Sequence, residues 1–133
     1  MTIEQMDNLR QTLSEKTSLV NYFDSLHCKS VTEAIANNYP TLQEVGPKAK
    51  NFIEVAIADM RLNIPFYGKT ERVVDLIYDN HANLHLPEVK LFIARGLMGL
   101  YGQTYGTANT QTIMLWLEEY KHETAEIRYW YDK

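Results

Sequence analysis

Apolar residues recur along this chain every three or four positions, the spacing that gathers them on one face of a helix. Ile3, Met6, Leu9 and Leu13 form a first stripe, opened by Thr2 and Gln5 as a capping box. A Ser/Thr-containing break at 14–18 precedes a short segment with Leu19, Val20, Tyr22, Phe23 and Leu26. Ser30 with Glu33, and Thr41 with Glu44, repeat the capping-box pattern. Tyr39-Pro40 ends the helix between them, because proline disfavours helix in the residue before it.

Beyond Gly46-Pro47 the stripes strengthen. Phe52, Ile53, Ala56, Ile57 and Met60 share a face that stops at Asn63-Ile64-Pro65. Thr70 is expected to cap a helix turned inward by Val73, Val74, Ile77 and Tyr78, with Asn80 and Asn83 marking its end. Pro87 suits the first turn of a helix carrying Leu91, Phe92, Arg95 and Met98. Asn109 or Thr110 starts the last helix, whose stripe is Ile113, Met114, Trp116, Leu117 and Tyr120 and whose pattern reaches Tyr131. Period-two alternation is rare, no strand pair is evident, and no internal repeat is visible.

These stripes predict an all-α fold: a compact bundle of six or seven helices forming a single helical domain over 1–133. Gly46-Pro47 sets off a small N-terminal helical subunit, 1–45, from a main core, 46–133. The residues expected inside are Phe52, Ile53, Ile57, Val73, Ile77, Leu91, Phe92, Met98, Ile113, Trp116, Leu117 and Tyr120.

Composition narrows the function classes. At 133 residues the chain can bury a core without disulfide or metal, and its one cysteine, Cys28, has no partner within the chain. The N-terminal apolar residues are too interrupted for a signal peptide, and no apolar run reaches the ~20 residues a bilayer requires. The expected address is therefore cytoplasmic, without a membrane. Net charge is −4: −3 over 1–45, +2 over 46–72 and −3 over 73–133. Only the middle segment could serve a nucleic acid, through Lys48, Lys50, Arg61, Lys69 and Arg72 with Tyr67.

The motifs that carry chemistry are incomplete. Gly68-Lys69-Thr70 resembles the end of a phosphate-binding loop, but Asn63 stands where that loop needs glycine, and Pro65 removes an amide donor. Its neighbourhood reads as helix rather than strand, so a turn is expected. His81, His85 and Glu88 have a metal-like spacing, yet Ala82 and Pro87 break the zincin pattern and predict exposed loop histidines. His27 and Cys28 are adjacent and cannot face each other on a helix. No catalytic constellation, metal site or cofactor is expected.

The run from Gly96 to Gly106 holds four glycines interleaved with Tyr101 and Tyr105. Close helix packing at Gly96 and Gly99 and tight turns at Gly102 and Gly106 account for it. The alternative is a shaped loop that presents Tyr101, Gln103 and Tyr105 to a partner. At the other terminus, Tyr129-Trp130-Tyr131 cannot all share one helix face, so Trp130 is a candidate exposed anchor.

Residues 68–123 resemble a small uncharacterised domain family of phages and mobile elements of gut anaerobes. The likeness rests on Gly68-Lys69, Glu88-Val89-Lys90-Leu91-Phe92 and Arg95, and above all on Gly99-Leu100-Tyr101-Gly102-Gln103-Thr104-Tyr105, followed by Trp116-Leu117 and Tyr120. Gly106-Thr107 replaces that family's usual Asp and following basic residue. The resemblance implies a setting near replication or DNA-handling genes, and the helix arrangement resembles small phage proteins that load a replicative helicase. The expectation is a non-enzymatic protein-binding adaptor, an accessory factor for phage or mobile-element DNA replication. The alternatives are a nucleic-acid-binding module and a phage structural component.

Overall fold

Helices form where the apolar stripes predict them, and their ends are set by local chemistry. The computed structural model describes residues 3–4, 31–36, 39–102 and 106–131. The first expected helix, the segment at 19–26, His27, Cys28, Gln103 and Tyr105 lie outside these, wholly or nearly so. Seven helices occur among the described residues: α1 (Val31–Ala36), α2 (Leu42–Val45), α3 (Ala49–Met60), α4 (Thr70–Asn80), α5 (Leu86–Leu97), α6 (Thr110–Glu123) and α7 (Ala125–Tyr131). The fold is an all-α bundle.

Thr41 caps α2 as the capping box predicts: its hydroxyl accepts the Glu44 amide at 3.2 Å, and the Glu44 carboxylate accepts the Thr41 amide. Asn109 caps α6 by accepting the Thr112 amide at 2.9 Å. Thr70 does not cap α4. Lys69 holds the cap position, and the Thr70 hydroxyl instead accepts from Arg61 at 3.1 Å. The last helical pattern divides in two, because α6 ends at Thr124, whose hydroxyl turns back to donate to the Tyr120 carbonyl at 2.9 Å.

Helices α3 to α6 form a four-membered ring. α3 packs on α4, α4 on α6, α6 on α5 and α5 on α3. The α3–α4 pair is antiparallel, since Arg61 meets Thr70 at one end while Lys50 meets Asp75 nearer the other. The α5–α6 pair is antiparallel too, with Gly96 against Trp116 and Glu88 against Tyr120. A tiny parallel sheet joins the pairs: β1 (Phe66–Tyr67) lies beside β2 (Ala108–Asn109), with Phe66 opposite Ala108 and Tyr67 opposite Asn109. The sequence showed neither the strands nor the resulting repeat. Helix, loop, two-residue strand and helix occur twice, as α3–β1–α4 and α5–β2–α6, with no matching sequence pattern.

The interior is filled by the predicted stripes. Eleven of the twelve expected core residues are buried, with Phe52, Ile53, Ile57, Val73, Ile77, Phe92, Ile113, Leu117 and Tyr120 fully inaccessible. Met98 is the exception, at 74% exposed. α5 ends at Leu97, and Met98 holds its C-cap still in helical conformation with φ −74°, so its side chain continues the stripe beyond the helix's last buried residue, Gly96, and meets solvent. Gly96 and Gly99 therefore act differently. A Cβ on Gly96 would stand 2.2 Å from the Trp116 ring, whereas one on Gly99 would meet nothing within 4 Å. Gly102 and Gly106 lie outside regular helix with φ of +112° and +83°, as tight turns require.

Candidate functional site

The ring has two ends of opposite character. One end gathers the starts of α3 and α5 and the finishes of α4 and α6, where 39–43, His81–Leu86 and α7 meet. Leu42 and Leu86 donate amides to the Leu84 and Pro40 carbonyls, each at 2.9 Å, stitching the N-terminal segment to this end. His85 Nδ1 lies 2.6 Å from the Tyr39 carbonyl.

At its centre is Glu88, a carboxylate with no solvent exposure. Oε1 accepts the Tyr120 hydroxyl at 2.7 Å and an Arg128 guanidinium N–H. Oε2 accepts the His85 amide at 2.8 Å and the second Arg128 nitrogen at 3.2 Å. Arg128 also donates through Nε to Thr124 Oγ1 at 3.1 Å and lies over the Tyr120 ring, 5.6 Å from its centroid. Burial, then the Glu88 carboxylate, pushes the Tyr120 phenol far above its ordinary pKa, so it remains a donor. Four donors occupy the roughly four lone-pair directions of a carboxylate. Glu88 thus has no acceptor site left for a substrate or metal, and the cluster joins α5, α6 and α7.

The neighbouring histidines are not free loop residues. His85 occupies the N-cap position of α5 and His81 the C-cap of α4, and both are half-buried. Burial first, then the Lys121 charge, lowers the His81 pKa. Lys121 donates to Asn83 Oδ1 at 2.7 Å and has its own pKa lowered, first by burial and then by Arg128. Among the described residues, no three His, Cys, Asp or Glu side chains are placed to hold a metal.

The expected nucleic-acid residues divide between the ends. Lys48 stands at the N-cap of α3 and Arg61 at its C-cap, about 20 Å apart along the axis. Lys50 pairs with Asp75 at 3.1 Å and lies 5.4 Å from the Tyr78 ring centroid, and the Asp75 contact raises its pKa. Lys50 also lines a groove of about 190 Å³ with Glu54, Thr70, Glu71, Val74 and Asp75. That volume falls below the ~300 Å³ of small-molecule sites. Its three carboxylates oppose a phosphate chain. Gly68-Lys69-Thr70 follows strand β1 directly, not the helix the sequence implied, but the strand has two residues and Gly68 packs against Thr110 rather than opening a phosphate cradle.

The opposite end is built from the finishes of α3 and α5, the starts of α4 and α6, and the two strands. Here four large apolar side chains face solvent: Leu62, Tyr67, Met98 and Leu100, at 84, 69, 74 and 56% exposure. Arg61, Lys69 and Arg72 belong to the same end and are exposed. Tyr101, expected as a partner contact, is half-buried with its hydroxyl enclosed and without a well-formed hydrogen bond beside the Arg95–Glu123 pair. Burial, followed by Glu123, pushes its pKa up to about 12. Trp130 is exposed, with Tyr129 edge-on at 6.1 Å between centroids. It lies two residues beyond Arg128, which is anchored in the first turn of α5, about 15 Å along that helix from Met98.

Sequence reasoning missed the Glu88–Arg128–Tyr120 cluster and the apolar end. The His85–Glu88 spacing hinted at a cap, and the glycines marked the loop, but no local signal paired Glu88 with Arg128, 40 residues away. Comparison of the chain with protein-family models, curated proteins and solved structures finds no match.

Proposed function

We infer that this protein is a non-enzymatic adaptor that docks another protein on the apolar end of its helical ring. One observation carries the reading: Leu62, Tyr67, Met98 and Leu100 are all exposed at the end of the ring formed by the two helix-to-strand connections and β1, while the helix stripes are buried. Scattered exposed apolar residues are normal on a folded protein; a group of them at one end marks an interaction surface. The Gly-Tyr segment serves that surface through Met98 and Leu100, with Tyr101 packed beneath. The most buried polar cluster, around Glu88, is saturated and sealed, which favours a structural over a catalytic role. A partner in phage or mobile-element replication is supported by the resemblance of residues 68–123 alone.

The test is quantitative affinity capture from the native cells with the wild-type chain and a Met98→Ser/Leu100→Ser variant of matched thermal stability. At least one protein should be depleted about tenfold, the loss expected when roughly 1.4 kcal/mol of contact is removed. Identical capture by the two chains refutes the reading.

A further inference from the structure

The apolar end differs in charge from the rest of the chain. Residues 61–72 contain Arg61, Lys69 and Arg72 against Glu71, and residues 96–112 contain no charged side chain, so the two connections together carry +2 (three basic less one acidic). The whole chain carries −4. Asp59, in the last turn of α3, lowers the local value to +1 without changing its sign. Arg95 precedes this segment but is neutralised by Glu123.

The three cations are not engaged with carboxylates among the described residues. Arg61 donates to the Thr70 hydroxyl and lies 5.9 Å from the Phe66 ring centroid, contacts that hold its guanidinium at the end of the ring without satisfying its charge. Lys69 and Arg72 are exposed at the start of α4, and the described ion pairs all lie elsewhere. Tyr67 and its strand partner Asn109 are both exposed across the parallel pair. Exposed apolar and cationic groups thus belong to the same end of the ring.

Resting on the adaptor reading, we propose that this end binds an acidic amphipathic segment of a partner protein. Its carboxylates meet Arg61, Lys69 and Arg72, and its apolar side chains cover Tyr67, Met98 and Leu100. Guanidinium groups take carboxylates in two parallel hydrogen bonds, and a methionine reshapes to fit varied apolar surfaces. A nucleic acid suits the surface less well. Its phosphate backbone offers nothing apolar to cover Leu62, Met98 and Leu100.

The experiment selects a yeast-displayed library of random dodecapeptides on the full chain. Enriched peptides should combine Asp or Glu with Leu, Ile or Phe, and their binding should weaken with added salt. It should also fall about tenfold or more in a Lys69→Glu/Arg72→Glu variant of unchanged melting temperature. Enriched peptides without acidic residues, or binding indifferent to the charge reversal, overturn the proposal. If Met98→Ser/Leu100→Ser still weakens those peptides, the adaptor reading stands without it; if neither variant matters, both fall. An empty selection overturns the proposal. So does displacement of the peptides by oligo(dT), which would assign the surface to nucleic acid.

Discussion

Replacing Gly96 by alanine tests the closest approach in the fold. The added Cβ would lie 2.2, 2.3 and 2.8 Å from Cδ2, Cε3 and Cε2 of Trp116, where carbon atoms normally rest about 3.5–4.0 Å apart. Trp116 is 2% exposed and cannot swing into solvent, so α5 and α6 must separate by about 1 Å or more, or the indole must repack. Overpacking of this kind costs about 1–3 kcal/mol, and the depth of the clash points to the upper end. Helix propensity works against it: alanine is favoured over glycine by about 1 kcal/mol in a helix interior. The expected net loss is about 2 kcal/mol, which for a chain of this size lowers the melting temperature by roughly 6–10 °C. Thermal and urea unfolding followed by circular dichroism read it directly. A Gly96→Ala/Trp116→Phe double variant should lose less than the sum of the two single variants, because the smaller ring makes room. An unchanged or raised melting temperature in Gly96→Ala would show that α5 and α6 do not meet as described.

Arg128→Ala should destabilise by about 3–5 kcal/mol, because it leaves the Glu88 carboxylate buried and short of two donors; hydrogen exchange should then rise first in α7, and an unaltered unfolding midpoint would contradict the pairing. Tyr101 is neutral in the folded state up to about pH 12, against about 10 when unfolded, so its contribution is whole below pH 10 and is lost as pH climbs from 10 to 12. Tyr101→Phe should therefore lose less stability across that window in alkaline unfolding, and parallel wild-type and variant curves would exclude the effect. Chelator and ATP should each leave the melting temperature unchanged, since neither the His81–His85 pair nor Gly68-Lys69-Thr70 forms a binding constellation; a shift abolished by His85→Ala or Lys69→Ala would reverse that reading.

The stripes of α3 to α6 and the caps at Thr41 and Asn109 were legible because each depends on residues three or four apart. Helix boundaries decided what was not legible. Met98 continues the α5 stripe in sequence, and only the end of the helix at Leu97 places its side chain beyond the core. Gly96 and Gly99 look alike in the chain; one admits an indole and the other supplies a positive φ. Glu88 reads as a first-turn acid of a kind usually solvated, and its burial depends on Arg128 and Tyr120 from other helices. Strands of two residues are too short to show a period. The apolar end emerged from the placement of two connections, each unremarkable by itself.

Site-specific photo-crosslinking in the native cells tests the docking surface most directly. A benzophenone amino acid placed at Tyr67 or Met98 should form adducts with the same partner protein, whereas the exposed positions Tyr129 and Trp130 on α7 should not. Adducts at Tyr129 or Trp130 but none at Tyr67 and Met98 would contradict the assignment.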